Sequence, residues 1–327
     1  MLSVAQIQDW YRGRTVVITG GYGYLGTGLS TPLKAMGANL RRTTRGRAGL
    51  SDPDIWTGDL LHPSFCARLV DGADVIFHMA GQTSIKTSFD DPIGDLRANV
   101  ESTLNLLTAC QRAASKPAFI YAGTATEIGL TETVPVPSTA PDAPISVYCA
   151  NKLAAEHLVA VYAAMKAVHG TTLRIANVYG PGAMKSAADR GVTNKMIARA
   201  MKGQNLSYYG DGRLQRDYVY VTDLLDAFVR SAVVVPSATH RSYVVSGGKG
   251  YSLAEAFNLI ADTVAELGYP RVDVSSAPWP ADIHPIDRRS FVTNTAPLTQ
   301  FCGWRPTISF RDGIRLTAES FRRGDGE

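Results

Sequence analysis

The stretch Thr15-Val-Val-Ile-Thr-Gly-Gly-Tyr-Gly-Tyr-Leu-Gly26 constrains the fold of this chain more than any other. A run of β-branched residues feeds directly into a glycine-rich turn, and Leu25, Leu29, Leu33 and Met36 then recur at helical spacing. Strand, glycine turn and helix in that order open a dinucleotide-binding βαβ unit. Gly21-x-Gly23-x-x-Gly26 fits the fingerprint, and Gly20-x-x-Gly23-x-x-Gly26 fits an overlapping one. One glycine permits the tight turn, one lets a pyrophosphate approach the backbone, and one lets the helix lie close to the strand. The pyrophosphate is expected on the free N–H groups at the helix N-terminus, among Gly20, Gly23, Tyr24, Leu25 and Gly26.

Strand-like runs alternate with helical ones through the first half. Strands are expected at Thr15–Thr19, Asn39–Thr44, Val75–His78, Ala118–Ala122 and Thr172–Ala176. Helices are expected near Tyr24–Met36, Ser64–Val70, Ile93–Ala114 and Val147–His169, with a short one ahead of the first strand. This alternation predicts an α/β, Rossmann-type doubly wound parallel sheet with helices on both faces. After Gly180-Pro-Gly182 the character changes. The segment Ala183–Arg213 reads as loop with one short helix, and further strands are expected at Tyr218–Val221 and Tyr243–Val245. A helix from Tyr251, irregular chain to Pro306 and a final helix follow. The expected division is a dinucleotide-binding domain over 1–176 plus about 218–246, and a smaller, interleaved substrate domain over 177–217 and 247–327.

Composition excludes several classes. At 327 residues and 45% hydrophobic content, the chain can bury a core, and about two domains are expected. No apolar run reaches the ~18 residues of a membrane span. The N-terminus lacks a basic region followed by an apolar one, so no secretory leader is expected. A net charge of +4 is too mild to call for nucleic acid, though it suits an anionic small substrate. Cys66, Cys110, Cys149 and Cys302 are far apart, which points to a reduced, cytoplasmic setting and no metal site.

Tyr148-Cys-Ala-Asn-Lys152 is the second informative motif. Residues four apart share a helix face, so a lysine ammonium there is expected to favour the tyrosinate and lower its pKa from about 10. Such a phenol can move a proton to or from a sugar hydroxyl. Taken alone the pair also fits an ordinary helix surface. The preceding strand ends in Tyr121-Ala-Gly-Thr-Ala-Thr-Glu-Ile-Gly129, and ligands of open α/β sheets bind beyond the carboxyl ends of strands. Thr124 and Thr126 are thus placed to hydrogen-bond a reacting hydroxyl, or to satisfy the loop backbone.

These motifs resemble the extended short-chain dehydrogenase/reductase superfamily, in its NAD(P)-dependent nucleotide-sugar epimerase/dehydratase branch. The resemblance covers nearly the whole chain. It adds, in order, Gly58-Asp59-Leu60, His78-Met-Ala-Gly81, Asn99 within Ala-Asn-Val-Glu-Ser-Thr-Leu-Asn-Leu-Leu, Arg174-Ile-Ala-Asn177-Val-Tyr-Gly-Pro-Gly182 and Gly210-Asp-Gly-Arg-Leu-Gln-Arg-Asp-Tyr-Val-Tyr-Val221. It implies Tyr148 as acid/base, Lys152 as its tuner and ribose ligand, Thr124 as the group orienting the substrate hydroxyl, and Asn99 as support. It implies Asp59 and Leu60 near the adenine, Met79, Ala80 and Gly81 along the cofactor cleft, and Gln82 and Thr83 near the sugar. Asn177, Asn194 and Arg216 match positions holding a nucleotide-sugar diphosphate, with His284, Arg288 and Arg289 also near it. It further implies a homodimer through Asp95–Gln111 and Ala150–Ala167.

Two departures from the pattern inform the chemistry. NAD-binding members place an acid near the end of the second strand, whereas this chain reads Arg41-Arg-Thr-Thr-Arg45-Gly-Arg47. Thr44 and Arg45 could take a 2′-phosphate, which favours NADP over NAD; a solvated arginine edge would leave NAD possible. Dehydratases carry an Asp-Glu pair after the threonine, where this chain has Ala125-Thr126, and Glu127 comes one position late. Epimerisation needs no such acid. The leading expectation is therefore a nucleotide-sugar epimerase acting at sugar C4 by transient hydride transfer through a keto-sugar, with epimerisation at another carbon such as C2 as a variant. An NADPH-dependent 4-keto-sugar reductase is the main alternative, followed by a 4,6-dehydratase and a non-catalytic nucleotide-binding regulator.

Overall fold

The computed structural model describes residues 2–46, 52–182 and 191–324. Its strands are β1 (Thr15–Thr19), β2 (Asn39–Thr44), β3 (Ile55–Thr57), β4 (Val75–His78), β5 (Ala118–Thr124), β6 (His169–Ile175), β7 (Asn177–Tyr179), β8 (Leu206–Tyr209), β9 (Gln215–Tyr220), β10 (Ser242–Val245), β11 (Gly250–Ser252) and β12 (Val274–Ala277). Seven of them form one parallel sheet in the order β3-β2-β1-β4-β5-β6-β10. The chain builds outward from β1 in one direction, then crosses back to β4 and builds in the other. The gap beyond the carboxyl ends of β1 and β4 is the switch point where such sheets bind ligands.

Period-two alternation divides the core. In β1, Val16 and Ile18 face one layer and Val17 the other, all fully buried. The first layer holds the helices Val4–Tyr11, Tyr24–Ala35 and Val221–Val234. The second holds Pro63–Val70, Ser102–Arg112 and Val147–Ala164. The architecture is a doubly wound, Rossmann-type α/β sheet.

A third core lies among the helices Gly191–Met201, Leu253–Glu266 and Phe310–Arg323. Two small sheets accompany it, β11-β9-β7 and β12-β8. Strand β9 pairs in the small sheet, while the helix that follows it packs on the large one. Among the described residues no helix is long and apolar enough to cross a membrane, and no cluster of His, Cys, Asp or Glu could hold a metal ion. All four cysteines are free and buried.

The structure differs from the expected elements at definite points. The single helix expected over Ile93–Ala114 is three pieces: Pro92–Leu96, a π-helical turn at Arg97–Glu101, and Ser102–Arg112. The helix expected to reach His169 stops at Ala164, because Lys166 adopts φ +57° and His169 already begins β6. Arg47 and 183–190 of the expected Ala183–Arg213 loop lie outside the described residues.

Candidate active site

The glycine turn forms a cradle at the end of β1. Gly20 has φ +63°, and a Cβ there would lie 3.0 Å from the Ala80 nitrogen. A Cβ on Gly26 would fall on the Gly20 carbonyl and 2.8 Å from Gly21 Cα. Gly23 caps the Tyr24–Ala35 helix with no side-chain hydrogen bond and no acid in the first turn. The helix therefore offers its first N–H groups without a protein anion, as a dinucleotide pyrophosphate requires. The residues present fit that cofactor.

A cleft of about 630 Å³ opens beside the cradle. Gly20, Gly23, Thr44, Arg45, Asp59, Leu60, Met79, Ala80, Gly81 and Gln82 all line it. Tyr24 turns away, donating its hydroxyl to the Gly180 carbonyl at 2.9 Å. The arginines on and just after β2 divide sharply. Arg41 donates to the carbonyls of Leu69 and Asp71, and Arg42 pairs with Asp52 at 2.6 Å and with the Tyr22 hydroxyl. Arg45 is exposed at the cleft, beside Thr44.

A directed hydrogen-bond chain fixes the cleft floor. Thr19 Oγ1 accepts from the Met79 and Ala80 N–H groups at 3.1 and 3.0 Å. Its own proton therefore goes to His78 Nδ1, 2.7 Å away. His78 Nε2 then donates to Thr103 Oγ1 at 2.9 Å, and Thr103 donates to the Asn99 carbonyl at 2.6 Å. Full burial pushes His78 down to about 3, so the imidazole is neutral. The chain joins β1, β4 and the π-helical turn carrying Asn99. Such turns concentrate at functional sites.

The hydroxyls expected to take part in the chemistry gather beyond β5. Tyr148 is buried and hydrogen-bonds the Thr124 side chain. Thr124 Oγ1 lies 2.9 Å from Thr126 Oγ1, which accepts from the Cys149 thiol at 3.1 Å. Lys152, one turn beyond Tyr148, is also buried. Its ammonium donates to the Ala122 carbonyl at 2.6 Å and sits 4.1 Å over the Tyr121 ring. Burial brings Lys152 down to about 8. The expectation of a lowered Tyr148 pKa is not met: burial pushes the phenol well above its ordinary value. The reason is physical. Removing a phenolate from water outweighs the help of an ammonium committed to a carbonyl and a ring.

Glu127 is turned toward the Thr124 backbone and Arg174. Its carboxylate accepts from the Thr124 N–H at 2.8 Å and ion-pairs with Arg174 at 3.0 Å. Arg174 also binds Glu156 and Asp142, each within 2.7 Å. Glu127 thus fixes Thr124 from behind, in a reciprocal cap that spacing alone did not identify.

The expected substrate residues fall into two sets. Arg216 donates to the backbone carbonyls of Gln215, Arg289 and Asp287. Buried Arg289 donates to those of Gly129 and Ala125. Burial and mutual repulsion push Arg289 down to about 10. Among the described residues neither guanidinium has a carboxylate in an ion pair, so an anion between them would be stabilised. Arg288 is exposed and stands over the Trp279 ring, and His284 faces the Phe89 ring. Asn177 is exposed, its amide donating to the Asp217 carbonyl. Thr83 is exposed. Asn194 is buried and brackets Gly180, accepting from its N–H and donating to its carbonyl. Gln82 is committed to Asp95 and Ser84. These amides brace the site's walls.

The chain is similar to known proteins along most of its length. The profile of the family described as "NAD dependent epimerase/dehydratase family" matches residues 16–245. A UDP-glucose 4-epimerase of Mycolicibacterium smegmatis is 30% identical over 324 residues, covering 94% of this chain and 98% of that protein. The solved UDP-glucose 4-epimerase of Thermus thermophilus, in complex with NAD, is 30% identical with a TM-score of 0.77, covering 94% of this chain and 99% of that one. The structure of RMD from Pseudomonas aeruginosa, complexed with NADPH, is 25% identical with a TM-score of 0.78, covering 95% and 99%. The chain belongs to the NAD dependent epimerase/dehydratase family of enzymes.

Proposed function

We propose that this protein is a nucleotide-sugar epimerase that inverts one sugar carbon, most simply C4, through a keto-sugar. The observation that carries the proposal is the buried Tyr148–Thr124 pair with Lys152 one turn on, at the sheet end that holds the glycine cradle. When bound, a nicotinamide supplies a reversible hydride acceptor at that end. Tyr148 takes the proton of the sugar hydroxyl as its carbon is oxidised, and returns it when the carbon is reduced from the other face. Thr124, held by Glu127, orients that hydroxyl. Lys152 is the cation that makes ionisation of a buried phenol tolerable. The Arg216–Arg289 pair would grip the diphosphate, leaving the sugar free to turn. Glu127 is occupied by Arg174 and the Thr124 N–H, so no acid at 125–126 serves a departing hydroxyl, and dehydration is disfavoured.

NADP is the proposed cofactor ahead of NAD, because Thr44 and Arg45 line the cleft and Arg45 has no protein carboxylate among the described residues. A homodimer is proposed through the helices around Asp95–Gln111 and Ala150–Ala167, where Leu104 and Val161 are exposed. The test is incubation with UDP-glucose and related nucleotide sugars without added cofactor, followed by proton NMR. An epimer forming with no net change in nicotinamide absorbance supports the proposal. Conversion only with added NADPH, and only of keto-sugars, replaces it with a reductase.

A further inference from the structure

Asp95 is a carboxylate 1% exposed on the wall of the cofactor cleft. Three side-chain amides from three segments converge on it. Gln82, after β4, donates to Oδ1 at 2.9 Å. Asn99, in the π-helical turn, donates to both oxygens at 3.1 and 3.2 Å. Asn151, the residue before Lys152, donates to Oδ2 at 3.0 Å. Among the described residues no arginine or lysine is ion-paired with it. A carboxylate withdrawn from water without a cation is costly, and survives only where donors are already aimed at it. The arrangement also dictates how Asn99 lies. Its amide nitrogen faces the carboxylate, leaving Oδ1 without a hydrogen-bond partner against Gly81, where a Cβ would meet it at 2.5 Å.

We propose that Asp95 is a positioning residue: it ties the Tyr148–Lys152 helix to the Gln82 loop and the π-helical turn, and its charge holds Lys152 as an ammonium. The proposal rests on reading Tyr148 and Lys152 as reaction machinery. The charges acting on Lys152 are, in order, Glu127 after β5, Asp95, and Glu156 on its own helix; the Tyr121 ring lies under the ammonium and neutral His78 is near it. Glu127 and Glu156 share one guanidinium, Arg174, with Asp142, whereas Asp95 is held by amides alone. Asp95 is the carboxylate in this group with no counter-cation. It also opposes ionisation of Tyr148, so its removal weakens the lysine and favours the phenolate together.

The test uses the full chain labelled with 13Cε-lysine, with the Lys152 resonance assigned by its loss in Lys152→Met. Wild type is expected to titrate near 8. In Asp95→Asn and Asp95→Ser the midpoint should fall by about one unit. In Asn151→Ala, which cuts one amide and keeps the charge, it should stay near wild type. The alkaline limb of kcat/KM for UDP-glucose should move with the NMR midpoint. An unchanged midpoint in both Asp95 variants overturns the proposal. So does collapse of both, which would mark Asp95 as a fold element only. If wild type turns over no nucleotide sugar, the functional reading fails while the titration still decides the role of Asp95.

Discussion

Tyr148 and Thr124 share a side-chain hydrogen bond, and Thr124 is pinned by Glu127 and Thr126, so a line of oxygens leads away from the phenol. Burial keeps that phenol protonated in the free protein. Ionisation then belongs to the moment of reaction. Tyr148→Phe preserves the ring and removes only the proton carrier. Turnover should fall by about 10²–10⁴-fold, while calorimetry shows nucleotide-sugar binding within a few-fold of wild type. Retained turnover would contradict the role. Lys152 makes a second, opposite prediction. Its folded pKa of about 8 lies below its unfolded value, so the charge weakens the fold below pH 8, and the penalty fades as pH rises from 8 toward 10. Lys152→Met should therefore abolish turnover yet leave the melting temperature at pH 7 equal or higher. A fall of several degrees would show that its bonds to Ala122 and Tyr121 outweigh burial.

At the scale of elements, the strand–turn–helix at 15–35 is the tightest joint. Alanine at Gly26 puts a methyl against the Gly20 carbonyl and pushes the helix off β1. Gly26→Ala should lose bound cofactor and about 1–3 kcal/mol of stability by chemical denaturation. Gly46→Ala, with nothing within 4 Å, is the neutral control. The legible elements are those with long local signals. β1, β2 and β4 have the bounds their sequences predict, because each run is closed by glycine, a turn or a charged step. β3, β7, β8, β11 and β12 have three or four residues each, too short for an alternation to register. The π-helical turn left no local signal in the sequence; Thr103, which donates to the Asn99 carbonyl, is held in turn by His78 from β4. In the site, the Tyr148/Lys152 spacing was readable. The partners that reverse its simple electrostatics, Ala122 and Tyr121, come from a strand about thirty residues earlier. Asp95 draws on three segments, and only its i,i+4 relation to Asn99 left a trace in the sequence.

At the scale of the molecule, one sheet positions both the glycine cradle and the Tyr148–Thr124 hydroxyls. Arg216 lies on β9 of a small sheet, and Arg289 reaches the carbonyls of Gly129 and Ala125 beyond β5. Neighbouring helices leave apolar side chains outside: Leu104 is 38% exposed, and Val161 51%. A double Leu104→Glu, Val161→Glu variant should sediment as a monomer where wild type sediments as a dimer; an unchanged sedimentation coefficient would place the interface elsewhere. On the proposed mechanism the nicotinamide is regenerated in place on each turnover. The most direct test of this is mass spectrometry of the nucleotide released when freshly purified protein is denatured. About one NADP or NAD per chain is the predicted result. A protein that is empty, yet binds NADPH reversibly, would contradict it.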